Sequence, residues 1–145
     1  MRVLNKGNRQ AKAYSDDYAF FIQALIDLYE ATLEVDWLEK ARDLNGQMLD
    51  QFWDEKEGGF FFSGKRNEPL IAQSKSPYDN AIPSTNSIAV SNLLRLSYLT
   101  GEEPLRRKAE KILQLFHPFI SEALIFGFPF LYLFFKLSYP FPDLF

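Results

Sequence analysis

The sequence predicts an all-α protein built of repeated helical hairpins in two concentric layers, with one small β-hairpin inserted near residues 59–73. Three observations predict it. Stretches that are apolar nearly all round alternate with stretches carrying a single apolar stripe, the pattern of buried helices backed by half-exposed ones. A shift of 68 residues lays Leu25 on Leu93, Leu28 on Leu96, Thr32 on Thr100, Trp37 on Leu105, Ala41 on Ala109, Leu44 on Ile112 and Met48 on Phe116. Units repeated in this way bury their apolar faces by stacking on one another. Phe60-Phe61-Phe62 and Leu70-Ile71-Ala72 flank a turn with Ser63-Gly64 and Asn67, which reads as the hairpin.

Residues 1–13 are polar and read as an extended lead-in, residues 14–138 as one domain, and 139–145, with Pro140 and Pro142, as a tail. Ser15 is placed to cap a helix over 16–33, with Asp16 and Asp17 in the first turn favouring its dipole. Its apolar residues, among them Phe20, Phe21, Ile22, Leu25 and Leu28, cover more than one stripe and predict burial on more than one side. The next helix, 36–52, has Trp37, Leu38, Ala41, Leu44, Met48 and Phe52 at spacings of three and four, with charges opposite. Gly58-Gly59 ends any continuation, and Pro77 and Pro83 keep the following link out of helix.

A second broad helix spans 86–99 and is stopped by Thr100-Gly101. Pro104 opens a fourth, narrow helix with Leu105, Ala109, Ile112, Leu113 and Phe116 on its stripe. A fifth, broad helix is expected near 123–137. Its run Ala123–Phe135 is shorter than the roughly 20 residues a bilayer requires and is interrupted by Gly127 and Pro129, so it reads as buried rather than as a membrane span.

In this arrangement the broad inner helices run parallel, and their N-termini lie at one end. Asp16, Asp17 and Tyr18 start the first, and Ser84, Thr85 and Asn86 start the second. The long link carrying Asp79 and Asn80 reaches the same end, whereas the links at Glu34-Val35 and Gly101-Glu102 are short. Long loops and polar side chains on one face mark where binding groups collect.

The totals narrow the function classes. The chain has 145 residues, 47% hydrophobic and 24% charged, ordinary for one globular domain. A formal charge of -3 argues against nucleic acid as a partner, since phosphate binding needs a basic face. Lys65-Arg66 and Arg106-Arg107-Lys108 read as solvated surface. The absence of cysteine excludes disulfides, thiolate chemistry and cysteine zinc sites, and His117 alone cannot make a histidine-rich metal site. MRVLNKGNRQ has no apolar signal-peptide core, so a cytoplasmic location is the expectation, with no membrane association and no cofactor.

The segments DDYAFFIQALIDLYEAT, WLEKA, FWDEKEGGFFFSG and YDNAIPSTNS resemble the C-terminal part of the YyaL or spermatogenesis-associated thioredoxin-like proteins. The resemblance runs from about residue 2 to 116, and GGFFF followed by D-N-A-I-P-S-x-N-S is its most specific combination. It implies part of a six-hairpin (α/α)6 barrel, related in fold to N-acylglucosamine 2-epimerases and glycosidases. This chain holds no thioredoxin-type Cys pair and about five helices of the ring, so it is expected to be a fragment of such a barrel. Sugar processing is implied only by fold analogy.

On this reading Asp17 and Asp79 are the candidate catalytic residues, and Asp16, Tyr18, Asn80, Ser84, Asn86 and Phe62 are candidate ligand contacts. Neighbouring carboxylates can divide acid and base roles, yet Asp16 and Asp17 equally suit dipole stabilisation. Consecutive helical positions point about 100° apart, so one of the two faces the axis. Asp79 and Asn80 suit an Asx turn, while the resemblance adds a functional role for the aspartate. Asn86 suits a cap as well as a contact. Phe60–Phe62 and Trp53 suit either core packing or stacking on a sugar. Two functions follow. One is a carbohydrate or polyol pocket at the mouth. The other, favoured for this chain, is a non-catalytic helical barrel fragment that self-associates or binds a partner chain, such as the remainder of the barrel.

Overall fold

Four helices carry the described part of the chain, which in this computed structural model is residues 13–62 and 85–126, with side chains described up to residue 118. α1 is Ser15–Thr32, α2 Val35–Phe52, α3 Thr85–Thr100 and α4 Glu103–Phe126. The fold is all-α. α1 packs on α2, α3 packs on α4, and the two hairpins join through α1 against α3.

α1 and α3 run parallel. At their starts Ser15 Oγ lies 3.5 Å from Thr85 Oγ1. Farther along, Asn92 Nδ2 donates to the Ala19 carbonyl at 2.8 Å. Toward their ends Arg95 Nη2 lies 2.6 Å from Asp27 and 2.8 Å from Glu30. α2 turns back on α1, so that Gln51 near its end reaches Tyr18 near the start of α1. The two parallel inner helices and their outer partners reproduce the layers read from the sequence.

The repeat extends to single hydrogen bonds in the two short links. Thr32 Oγ1 donates to the Leu28 carbonyl at 2.8 Å, and Thr100 Oγ1 to the Leu96 carbonyl at 2.7 Å. Each hydroxyl then accepts from the backbone N–H two residues on, at Glu34 and Glu102. Leu33 and Gly101 both end their helices in the left-handed conformation, at φ 59° and 76°. The 68-residue separation recurs in the Asp27–Arg95 pair. Arg42 on α2 lies 2.6 Å from Glu102, fastening the first outer helix to the second link.

Some boundaries differ from the expectation. Tyr14, in extended conformation at φ −97° and ψ 168°, is the N-cap of α1, one residue before Ser15. Ser15 instead is buried: its N–H donates to the Phe62 carbonyl at 3.1 Å and its hydroxyl faces α3. α4 does not stop at Phe116 to yield to a separate helix at 123, but continues through Pro118 to Phe126. Proline removes one N–H, leaving the Gln114 carbonyl without its helical donor. Gln114 is exposed, so water can take the donor's place there. The remainder of the expected fifth helix lies outside the described residues.

The β-hairpin expected near 59–73 does not appear as a strand pair among the described residues. Phe60 instead forms an isolated antiparallel bridge with Trp53. The arm at 70–72 lies outside the described residues. Between Trp53 and Phe60 the chain closes a tight turn, with Gly58 N–H donating to the Asp54 carbonyl and Asp54 N–H to the Gly59 carbonyl, both at 2.9 Å. Gly58 stands at φ 83°, and a Cβ there would come within 2.9 Å of the Lys111 side chain.

Burial follows the layers with one departure. α3 is apolar and buried on most of its surface, and α2 and α4 bury single stripes ending in Phe52 and Phe116. α1 was expected to match α3. It instead buries one stripe, Ala19, Ile22, Leu25 and Ile26, while Leu28 is 41% exposed and Phe21 60%. Among the described residues α1 has α2 and α3 beside it and no helix on its third side. Lys108 also departs from pure exposure, its ammonium lying 4.4 Å from the centre of the Trp53 ring.

Leu93→Ala is expected to cost about 2–5 kcal/mol in urea unfolding, since Leu93 is fully buried in the inner layer. Leu33→Gly should do the reverse. Leu33 is 74% exposed and bears the left-handed strain that Gly101 avoids, so the change should add about 0.5–1 kcal/mol, read by the same titration.

Candidate functional site at the N-terminal end of the inner helices

The parallel inner helices bring Asp16, Asp17, Tyr18, Phe62 and Asn86 to one end of the layers, around the Ser15–Thr85 contact. Asp79, Asn80 and Ser84 lie outside the described residues. What the gathered side chains do there can be read from their partners.

Asp17 Oδ2 accepts from the Tyr14 N–H at 2.9 Å, the return half of a capping box. Asp16 Oδ1 accepts from the Asp17 N–H at 2.9 Å. Both carboxylates thereby serve the free N–H groups and positive dipole end of α1. The Tyr18 hydroxyl accepts from Gln51 Nε2 at 3.1 Å, and its ring meets Phe52 edge-on at 5.3 Å, so it joins α1 to the end of α2. Phe62 is stacked on Tyr14, with ring centres 4.8 Å apart and planes 15° from parallel. This partly exposed pair is the aromatic surface at the mouth. Trp53 and Phe60 pack edge to face at 5.2 Å inside the core, which settles their choice between core and stacking surface in favour of core.

Asn86 was read as a cap or a contact, and the structure gives it another task. It is buried on the second residue of α3 and pairs with the backbone of Phe60 through both ends of its amide. Oδ1 accepts from the Phe60 N–H at 2.8 Å, and Nδ2 donates to the Phe60 carbonyl at 3.2 Å. The side chain acts as a strand of one residue, fixing the turn after α2 to the start of α3. Among the described residues no group of three or more His, Cys, Asp or Glu is arranged to hold a metal ion, and no helix is long and apolar enough to cross a membrane.

No family model matches the chain. Its curated relatives are more informative. Human spermatogenesis-associated protein 20 is 39% identical over 115 residues, 79% of this chain, and the mouse protein of that name is 37% identical over the same share. Over this stretch the chain is similar to spermatogenesis-associated protein 20. An uncharacterized protein of Caenorhabditis elegans is 39% identical over 108 residues, 74% of this chain. These matches support a place in the spermatogenesis-associated protein 20 family. The chain spans about 15% of the length of the mammalian relatives and 14% of the nematode one.

Three residues of the inner layer escape a reading by motif. Tyr14 caps α1 although its residue type carries no capping signal. Asn92 is buried between α1 and α3, and its Oδ1 has no hydrogen-bond partner among the described residues. Arg95 grips two carboxylates of α1, with Nη2 on Asp27 and Nε donating to Glu30 at 3.3 Å. Burial alone would lower the pKa of this guanidinium, but the hydrogen bonds and charges of Glu30 and Asp27 outweigh burial and hold it above the ordinary arginine value. The signal for Arg95 was present in the repeat, since the shift that aligns the helices also aligns Arg95 with Asp27.

Asn86→Ala should leave the N–H and carbonyl of Phe60 buried without partners, each costing about 1–3 kcal/mol. Urea unfolding measures the total, and a loss below about 0.5 kcal/mol would show that the clamp contributes little.

Proposed function

We propose that this chain is a non-catalytic helical scaffold, two hairpins of an (α/α) ring, that binds another protein chain through the third side of α1. The observation that carries the proposal is the stripe of Phe21, Ala24 and Leu28, exposed on the flank of α1 that turns away from α3. Phe20 extends it. Fully burying a large apolar side chain contributes about 1.5–3 kcal/mol, so covering this stripe would drive association. The use of the Asp17 carboxylate for capping and of the Asn86 amide on Phe60 also supports a structural role at the mouth.

A carbohydrate or polyol pocket, with Asp16, Tyr18 and Phe62 as contacts, is the second reading. It draws on the exposed Phe62–Tyr14 stack at the end where the inner N-termini meet. It is less well supported, because each of the gathered polar groups already makes a hydrogen bond within the fold.

Sedimentation velocity tests the preferred reading. The wild-type chain should sediment above its monomer mass with rising concentration, and Phe21→Asp with Leu28→Asp should restore the monomer while keeping helicity by circular dichroism. A wild-type chain that remains monomeric at every attainable concentration would defeat the proposal.

A further inference from the structure

Each inner helix carries two halves of one interface. On α3 the half that receives α1 contains Asn92, bonded to the Ala19 carbonyl, together with Ala89 and Leu96 on the same helical face, all buried. The positions 68 residues earlier on α1 are Phe21, Ala24 and Leu28, the stripe that nothing described covers. On α1 the half that is offered to α3 contains Ala19, Asp27 and Glu30, with Gln23 between them. Its counterparts on α3 are Ser87, Ser91, Arg95 and Tyr98, of which Arg95 is already engaged with Asp27 and Glu30 of α1. Tyr98 is 83% exposed, and Ser91 is partly so.

Among the described residues, α1 therefore exposes a receiving flank and α3, at Ser91 and Tyr98, an offering flank. The two flanks correspond, by the internal repeat, to the two sides of a contact already made inside the molecule. We infer that the occupant of the α1 flank is the α3 helix of a second copy of this chain, parallel to α1 and in the register of the α1–α3 contact. This deepens the scaffold reading and rests on it. Several features favour this occupant over an unrelated chain. Ser91 and Ala24 are small, which lets the helices approach closely, Leu28 offers apolar area to Tyr98, and Phe21 lies at the level of the small residues Ser87 and Ser91. A twofold arrangement of α1 against α1 would instead bring together two helices bearing Asp16, Asp17, Asp27 and Glu30 and no basic residue. A head-to-tail contact is heterologous, so copies add in one direction and close into a ring where the rotation allows.

Complementation distinguishes the arrangements. Phe21→Asp blocks only the receiving flank, and Tyr98→Asp only the offering flank. Each variant alone should lose the wild-type self-association in sedimentation velocity. Their mixture should recover a one-to-one dimer and nothing larger, because the intact α1 flank of one meets the intact α3 flank of the other. A second measurement uses the absence of cysteine from the chain. Ala24→Cys mixed with Ser91→Cys should form a mixed disulfide on oxidation, and neither variant alone should cross-link appreciably. Circular dichroism confirms that each variant is folded. Recovery in the mixture together with the mixed disulfide supports the inference. If Ala24→Cys cross-links chiefly to itself, or the mixture stays monomeric while the wild type associates, the second-copy α3 assignment is overturned and the α1 interface stands. If the wild type never associates, both fall.

Discussion

The pairing of a single side-chain amide with a single backbone residue gathers the ends of three helices from both hairpins at one point. Asn86, at the start of α3, satisfies both the N–H and the carbonyl of Phe60. Phe60 in turn bridges to Trp53 at the end of α2, and two residues later the Phe62 carbonyl receives the first N–H of α1. Three helix ends thus converge on the segment 53–62 through hydrogen bonds to its backbone, which are short-ranged and directional. Apolar packing between α1 and α3 would tolerate sliding, because it is indifferent to direction. The amide pairing is not indifferent, and together with the Asn92–Ala19 bond it sets which turn of α3 stands beside which turn of α1.

Much of the fold was legible in the sequence for a physical reason: helix burial leaves a periodic record, and a repeat writes that record twice. The outer stripes ending in Phe52 and Phe116 and the alignment of Thr32 with Thr100 could be read from spacing alone. The exposure of Leu28 could not. Periodicity states which residues are apolar, and whether a neighbour is present to cover them is a property of the assembly. Pro118 misleads for the opposite reason, since a rule about the missing N–H is local while the cost depends on whether the orphaned carbonyl can reach water.

At the candidate site, residue types were legible and their tasks were not. Asp17 and Asn86 were singled out as polar groups at helix starts, which they are. Whether such a group faces a ligand or the backbone depends on the turn at 53–62, whose closure by Gly58 and Gly59 leaves Phe60 where Asn86 can reach it. Asn92 and Arg95 sit in a helix dominated by apolar residues, and nothing local marks them. Arg95 in particular counters two of the four carboxylates of α1, a helix with no basic residue of its own. Each such ion pair is partly exposed and contributes up to about 1 kcal/mol, so its larger effect is on which helix lies beside α1.

The two links between inner and outer helices, Leu33-Glu34 and Gly101-Glu102, have no slack. In each, a threonine hydroxyl and a left-handed residue use the few backbone groups present, and α2 and α4 begin at once. An inserted residue at either place would rotate the outer helix by about 100° and turn its apolar stripe out of the layer. Length variation among homologous chains should therefore be suppressed at this rim, where a single added residue would cost the outer helix its packing.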